Sequence, residues 1–249
     1  MPHDHDPSAP QRHIVAIGGG GLSEDAGDRA LTNYILDLAA KDVPKVCFVG
    51  TASGDDDAYA DAFFASFDGI SCRLSRLTVL KPMARSPQAH LAEQDVIYVG
   101  GGNAFHMLVL WRSYGIDKHL RKAWERGAVM CGVSAGSMCW FQAGIRAMSH
   151  SAFQPLTPLL ALLPSSNCPH YDSQPARRTA YLEMVAAGRL PPGYAIGDGA
   201  ALHFTGTNLA ETVTFRPGAA AYRVEPMDAG ADEHELPTRS LIGCAMRKA

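Results

Sequence analysis

One serine, Ser134, lies among small residues in the segment GVSAG (132–136). An apolar run at 128–131 precedes it, so the pattern predicts a buried strand that turns sharply into a helix at this serine. A serine at such a turn is exposed, and the helix behind it directs backbone N–H groups toward the space above its hydroxyl. Ser134 is therefore a candidate nucleophile. An ordinary serine in a tight turn is the alternative, so the rest of the chain has to supply an oxyanion site, a base and an acid.

Two runs of glycine follow predicted strands. In YVGGGN (98–103) the N–H of Gly100 or Gly101, together with the N–H of Ala135, would provide the two donors of an oxyanion hole. A simple glycine turn that leads into a helix explains the same residues. The run GGGG (18–21) raises the possibility of a dinucleotide site, but it lacks the full GxGxxG pattern and a suitably placed acidic residue.

Four histidines follow the serine and could act as its base: His150, His170, His203 and His234. His170 is favoured because the segment NCPHYD (167–172) predicts a short strand bounded by turns, where a side chain is fixed yet open to a cleft. His203 alternates with apolar residues and is expected to face the sheet, and the other two resemble loop residues. Most single histidines are structural, so a structural role for His170 stays open.

The acid of such a site has to hold the imidazole tautomer and stabilise its charged form. Asp198, in AIGDGAALHF, lies between two glycines at a strand boundary. Asp172 is closer to His170 in sequence, but two residues along a strand its side chain would point the same way as the ring. We therefore favour Asp198, while an ordinary Asp-Gly hairpin turn is the alternative explanation for it.

The elements that must position these residues alternate along the chain. Strands are predicted at 13–22, 45–53, 72–79, 95–103 and 128–134, with helices at 28–40, 59–67, 104–115 and 116–127. Such alternation predicts an α/β protein with a mostly parallel, doubly wound sheet. Short β-like segments follow at 167–171, 194–197 and 200–204, with a helix near 177–187. The segments 211–217, 220–226 and 238–243 follow, and we interpret these three as antiparallel edge strands with a C-terminal β-hairpin.

Composition narrows the class of protein. The chain has 249 residues, 47% of them hydrophobic, and a net charge of −3, which gives no reason to expect binding to nucleic acid or to a membrane surface. We expect a disordered tail at 1–12 and a single domain at 13–249. The six cysteines are scattered and show no metal-ligand spacing, which predicts a reduced, cytoplasmic protein without a metal site. His3 and His5 could chelate a metal weakly, but a frayed tail explains them better.

Taken in order, YVGGGN, GVSAG, CPH and GDG resemble the peptidase E family of serine peptidases, the aspartyl dipeptidases. That family is related to cyanophycinases and to class I glutamine amidotransferase-like, flavodoxin-like folds. The resemblance runs from about Ile14 to Val224. It implies a nucleophile at Ser134, a base at His170 and an acid at Asp198, a position where the family often has glutamate. It also implies oxyanion donors at Gly100, Gly101 and Ala135.

The resemblance further implies hydrolysis of short peptides, such as dipeptides with N-terminal aspartate, through an acyl-enzyme and without a cofactor. A basic residue would bind the substrate carboxylate, and QPARRTAY offers Arg177 and Arg178, which could equally be solvated helix residues. Asn103, Tyr171 and Asp172 are the other candidate substrate contacts.

The order Ser, His, Asp distinguishes this pattern from α/β-hydrolases, and a glutamine amidotransferase would carry cysteine at the turn. A cyanophycinase-like hydrolase of β-Asp-Arg and a non-catalytic small-molecule-binding module remain as alternatives. The peptide is the only binding partner that the resemblance implies, for a monomer or a homodimer.

Overall fold

The computed structural model describes residues 10–22, 25–149 and 151–243, and in these ranges strands and helices build two sheets with helices packed on them. The strands are β1 (His13–Ile17), β2 (Lys45–Val49), β3 (Arg73–Leu77), β4 (Val96–Val99), β5 (Val129–Val133), β6 (Phe141–Ala147), β7 (Phe153–Leu156), β8 (Leu163–Pro169), β9 (Gly193–Ile196), β10 (Ala200–Thr205), β11 (Asn208–Thr214), β12 (Ala221–Met227), β13 (Gly230–Glu235) and β14 (Arg239–Ser240). The helices are α1 (Ala26–Leu38), α2 (Asp57–Ala65), α3 (Pro87–Leu91), α4 (Ala104–Tyr114), α5 (Ile116–Glu125), α6 (Ala135–Met138) and α7 (Pro175–Ala186).

The first sheet has the strand order β14-β11-β10-β1-β5-β4-β2-β3. Its strands β1, β5, β4, β2 and β3 pair in parallel, as the alternation of strands and helices predicts. Strand β10 pairs antiparallel with β1, and β11 pairs antiparallel with β10. The predicted mostly parallel sheet with antiparallel strands toward one edge is therefore confirmed.

Helices cover both faces of this sheet, so its central strands are buried on both sides. In β1, Ile14 and Ala16 pack in the core formed with α4 and α5. The alternate residues Val15 and Ile17 pack in the core formed with α1 and α2. This alternation explains why the strand segments are almost continuously apolar, and it confirms the doubly wound arrangement.

A second sheet, with the order β13-β12-β9-β8-β6-β7, was not predicted from the sequence. Strands β6, β8 and β9 pair in parallel with one another, and α7 packs on this sheet around the buried Tyr181 and Val185. The segments at 167–171 and 194–197 therefore belong to a separate sheet. So does the segment 220–226, which was expected at the edge of the first sheet and instead pairs with β9. A C-terminal hairpin is present as β12 and β13 at one edge of the second sheet, but its second strand lies at 230–235 and not in the predicted segment 238–243. That segment contributes β14, which pairs parallel, and not antiparallel, with β11 at the edge of the first sheet.

Several sequence predictions lie outside the described residues. These are most of the expected disordered tail (1–9, with His3 and His5), together with His150 and Cys244.

Within the described part of the tail, the Arg12 guanidinium lies 4.6 Å from the centre of the Trp124 ring, and the Arg12 carbonyl accepts a hydrogen bond from Gly206 N–H at 2.7 Å. None of the helices in the described ranges is long and apolar enough to cross a membrane.

Candidate active site

Ser134 occupies a strained turn between β5 and α6. Its backbone has φ 57° and ψ −111°, a conformation that residues with a side chain rarely adopt. The glycines on either side are required by close packing: a Cβ at Gly136 would lie 2.0 Å from the Val99 carbonyl oxygen, and one at Gly132 would lie 2.6 Å from the Gly136 carbonyl oxygen. The Ser134 N–H donates to the Ile17 carbonyl at 3.1 Å. The predicted sharp strand-to-helix turn is therefore present, and it is held by close packing at the two glycines and by the hydrogen bond to β1.

A continuous line of hydrogen bonds joins the three residues predicted to form the centre of the site. Ser134 Oγ lies 2.9 Å from His170 Nε2, and His170 Nδ1 lies 2.7 Å from Asp198 Oδ1. With the proton on Nδ1, the imidazole donates to the carboxylate and accepts from the serine hydroxyl. This arrangement allows the ring to take the serine proton while the carboxylate stabilises the imidazolium that results.

The ends of three strands bring the histidine and the acid together. His170 directly follows β8 and has a left-handed backbone, with φ 57°. Asp198 lies between β9 and β10, and it forms an isolated parallel bridge with Gly19 at the end of β1. Asp172 Oδ1 accepts a hydrogen bond from Asp198 N–H at 2.9 Å. Asp172, predicted to contact the substrate, therefore anchors the backbone of Asp198.

The glycine run at 18–21 has a role that the sequence analysis did not identify. A Cβ at Gly18 would lie 2.1 Å from the Gly197 carbonyl oxygen, so the end of β1 passes in close contact with the loop that carries Asp198. The signal in the sequence is that these glycines directly follow a predicted strand, as the turn at Ser134 does. The structure pairs these two strands, so that their carboxyl ends lie side by side.

The glycines after β4 differ in whether their N–H groups already donate a hydrogen bond within the protein. Gly100 N–H donates to the Val49 carbonyl at 3.1 Å, because it continues the pairing of β4 with β2. Gly101 N–H donates to the Tyr59 hydroxyl at 3.0 Å. These two predicted oxyanion donors are thus engaged. Among the described residues no acceptor is found for the N–H of Ala135 or of Gly102, and both residues line the cleft beside Ser134.

The cleft has two connected parts. The part that contains Ser134 has a volume of about 490 Å³, and the adjoining part about 580 Å³. Arg177 lines both of them. Of the described residues that line either part, none carries a carboxylate, so the charged side chains that face this space are cationic.

The two arginines proposed as carboxylate contacts differ in position. Arg177 faces the cleft, where its Nε donates to Gln174 Oε1 at 2.8 Å and its Nη1 to the Ile145 carbonyl at 3.3 Å. Burial lowers the pKa of its guanidinium from the usual value. Arg178 instead forms a salt bridge with Glu233 on the C-terminal hairpin. It fastens the hairpin to α7 and does not line the cleft in the described structure.

The other two predicted substrate contacts, Tyr171 and Asn103, also differ in whether they line the cleft. The Tyr171 ring is fully buried, and its hydroxyl donates to Glu233, so this residue supports the segment after His170 and does not line the cleft. Asn103 lines the cleft, but its Oδ1 accepts from His106 N–H at 3.0 Å and thereby caps α4.

The cysteines near the turn are unsuited to act as nucleophiles. Cys131 and Cys139 are fully buried, and burial raises the pKa of both thiols above the usual value. Cys139 Sγ donates to the Gly136 carbonyl at 3.1 Å, inside the turn. Ser134, in contrast, lines the cleft with its hydroxyl.

Known proteins resemble this chain over most of its length. The model of peptidase family S51 matches residues 14–212. The chain is 42% identical to a protein named uncharacterized peptidase YgaJ from Bacillus subtilis, over 92% of this chain and 99% of that one. It is 31% identical to a protein named peptidase E from Shewanella amazonensis, over 60% and 68% of the two chains.

Two solved structures share the fold. A peptidase from an acI-B1 actinobacterium superposes with a TM-score of 0.72 at 15% identity, over 92% of this chain and 96% of that one. A putative peptidase E from Listeria monocytogenes superposes with a TM-score of 0.60 at 16% identity, over 81% and 98% of the two chains. The family match and the two relatives establish the assignment: this chain belongs to peptidase family S51 and is a serine-type peptidase, a hydrolase.

Proposed function

We propose that Ser134, His170 and Asp198 form a catalytic triad that hydrolyses short peptides with an N-terminal aspartate. The observation that carries this proposal is the unbroken line of hydrogen bonds from Ser134 Oγ through the imidazole to the Asp198 carboxylate. The strained backbone of Ser134 supports it further, because such strain persists where the surrounding structure holds a residue in a functional position.

The reaction is a two-step acyl transfer. His170 Nε2 takes the hydroxyl proton as Ser134 Oγ attacks the peptide carbonyl, and the imidazolium then gives that proton to the departing amine. Water attacks the acyl-enzyme in the same way and releases the acid. Asp198 holds the ring with Nδ1 protonated throughout, so Nε2 is free to accept the serine proton.

The oxyanion that forms in each step needs two N–H donors. We assign them to Ala135 and Gly102, because these N–H groups lie at the cleft beside Ser134 and have no acceptor in the described ranges. Gly101 remains next to the serine, since a Cβ at this glycine would lie 3.4 Å from Ser134 Cβ, but its N–H is held by Tyr59.

Preference for an acidic residue follows from Arg177. Its guanidinium faces the cleft and forms no ion pair with a carboxylate of the described residues, whereas Arg178 is already paired. A bidentate contact from Arg177 would bind the aspartate side chain with defined geometry. The similarity to a protein named peptidase E is consistent with this assignment.

The two alternatives, a cyanophycinase-like hydrolase and a non-catalytic binding module, are less well supported. A cyanophycinase-like enzyme would have to place the guanidinium of a β-Asp-Arg unit in a cleft that contains arginines and no acidic lining residue in the described chain. Like charges placed in the same cleft repel one another. A non-catalytic binding module would have no use for a serine hydroxyl aligned with an imidazole and a carboxylate.

The test combines labelling with turnover. We expect a serine-directed phosphonate to modify Ser134, and the wild type to cleave Asp-X in a panel that also contains Glu-X, neutral dipeptides and β-Asp-Arg. Ser134→Ala should abolish both the labelling and the cleavage. Ser113→Ala, at an exposed serine on α4, is the matched control and should retain them. Absence of labelling in the folded wild type would support the binding module, and cleavage of β-Asp-Arg alone would support the cyanophycinase-like alternative.

A further inference from the structure

A second arginine, Arg146, lines the same part of the cleft as Ser134 and Arg177. It lies on β6 of the second sheet, and its guanidinium carbon is 4.6 Å from the centre of the Phe105 ring on α4. Its Nη2 donates to Gln154 Oε1 at 3.1 Å. Arg146 is thus held between the second sheet and α4, at a wall of the cleft that the sequence analysis did not single out.

Neither Arg146 nor Arg177 has a carboxylate partner within the described ranges, although Arg178, next along α7, forms a salt bridge with Glu233. Arginines drawn partly out of water are normally compensated by anions, because an uncompensated charge is costly in a protein interior. The Nε of Arg146 is also buried and has no acceptor in the described structure. Two cations without anionic partners on one cleft indicate that its ligand supplies the negative charge.

We propose that Arg146 is a second carboxylate-binding residue, so that the substrate of this cleft carries two separate carboxylates, one for each arginine. The inference rests on the proposed function, because it concerns the substrate of the same site. In a dipeptide with N-terminal aspartate, the two groups are the side-chain carboxylate and the C-terminal carboxylate. Recognition of both would favour free dipeptides over longer or amidated peptides that contain the same scissile bond.

Binding to a protein that cannot turn over its ligand provides the test. In a Ser134→Ala background, calorimetry would compare Asp-Leu with Asn-Leu, which lacks the side-chain carboxylate, and with Asp-Leu amide, which lacks the C-terminal one. Each loss should weaken binding by about 10- to 100-fold, the range for a hydrogen bond to a charged group. Adding Arg146→Gln should abolish the sensitivity to the C-terminal carboxylate and preserve the sensitivity to the side-chain carboxylate, which the proposed function assigns to Arg177.

Two controls keep the result specific. Arg189→Gln removes an exposed arginine outside the cleft and should preserve both sensitivities. Arg146→Lys retains the charge over Phe105 and should retain part of the lost affinity, which provides a second variant should Arg146→Gln fold poorly. The proposal is overturned if Arg146→Gln keeps both sensitivities, or if the parent protein senses only one carboxylate. Because binding is measured without catalysis, either failure is distinct from an absence of peptide hydrolysis in the wild type.

Discussion

Gly19 lies against the carboxylate of Asp198 with no space for a side chain between them. A Cβ at Gly19 would lie 2.0 Å from Asp198 Oδ1 and 2.9 Å from His170 Cε1. The Gly19 carbonyl also accepts a hydrogen bond from Gly199 N–H at 2.9 Å, which ties the loop after β9 to the end of β1. The end of the first strand is thus a surface against which the acid and the imidazole are placed.

We expect Gly19→Ala to lower kcat by about 100-fold or more, because a shift of the acid by about 1 Å misorients the histidine. Gly218→Ala is the matched control: its φ of +73° makes alanine strained, but no atom would crowd the new Cβ. That variant should lose about 1 kcal/mol of stability and keep its activity. Steady-state kinetics and thermal unfolding of both variants check the prediction, and unchanged kcat in Gly19→Ala would contradict it.

The adjacent arginines on α7 should have separable effects. Arg177→Gln should remove the preference for Asp-X over Asn-X and raise KM for Asp-X by about 10- to 100-fold, since it deletes a charge-assisted contact. Arg178→Gln should keep that preference and instead destabilise the protein, because Glu233 would lose its partner. Kinetics on both peptides and thermal unfolding distinguish the two outcomes. A preference lost in Arg178→Gln but kept in Arg177→Gln would reverse the assignment.

Substitution of Tyr59 tests which N–H groups donate hydrogen bonds to the oxyanion. If Gly102 and Ala135 are the donors, Tyr59→Phe leaves Gly101 N–H without its acceptor and costs about 1–3 kcal/mol of stability, with less than a 10-fold loss of kcat. Losing an oxyanion donor would instead cost on the order of 100-fold. Tyr114→Phe, at an exposed tyrosine, controls for hydroxyl removal. A 100-fold loss in Tyr59→Phe would place Gly101 and Tyr59 in the oxyanion site.

The sequence was sufficient to predict the parallel part of the first sheet, because apolar runs alternate with helical segments and four of the five runs, all but 72–79, lead into glycine or serine. It was also sufficient to select Ser134, His170 and Asp198 as a set that the structure brings within hydrogen-bonding distance. The second sheet was not predictable in this way. Strand β6 directly follows the short helix α6, so the segment lacks the usual turn signal, and β8 contains polar residues such as Asn167 that are buried by tertiary contacts.

Individual contacts depended on features that a single sequence does not carry. Arg177 and Arg178 are neighbours, but which one faces the cleft is decided by Glu233 on the distant β13. Gly100 and Gly101 look equivalent in sequence, and only the extent of strand pairing and the position of Tyr59 distinguish their N–H groups. Long-range packing settled these positions.

The last prediction concerns a buried pair of histidines outside the cleft. His13 Nδ1 lies 2.9 Å from His203 Nε2, and His203 Nδ1 lies 2.5 Å from the Tyr34 hydroxyl, which donates to Glu211. Glu211 is in turn paired with Arg239. Burial, together with the charge of His13, lowers the pKa of His203 from 6.5 to about 4, and burial also lowers the pKa of His13.

The lowered pKa of His203 determines the sign of the pH dependence. Between pH 6.5 and about 4 the unfolded chain binds a proton at this histidine and the folded protein does not, so the free energy of unfolding decreases as the pH falls. The decrease is at most about 1.4 kcal/mol per pH unit for each such group. Urea denaturation between pH 7.5 and 5 should reveal this decrease in the free energy of unfolding. Most carboxylates titrate below this pH range and therefore contribute little to the change. His203→Gln should flatten the dependence, whereas His234→Gln, at an exposed histidine, should not. Equal slopes in the wild type and His203→Gln would show that the buried pair does not control stability in acid.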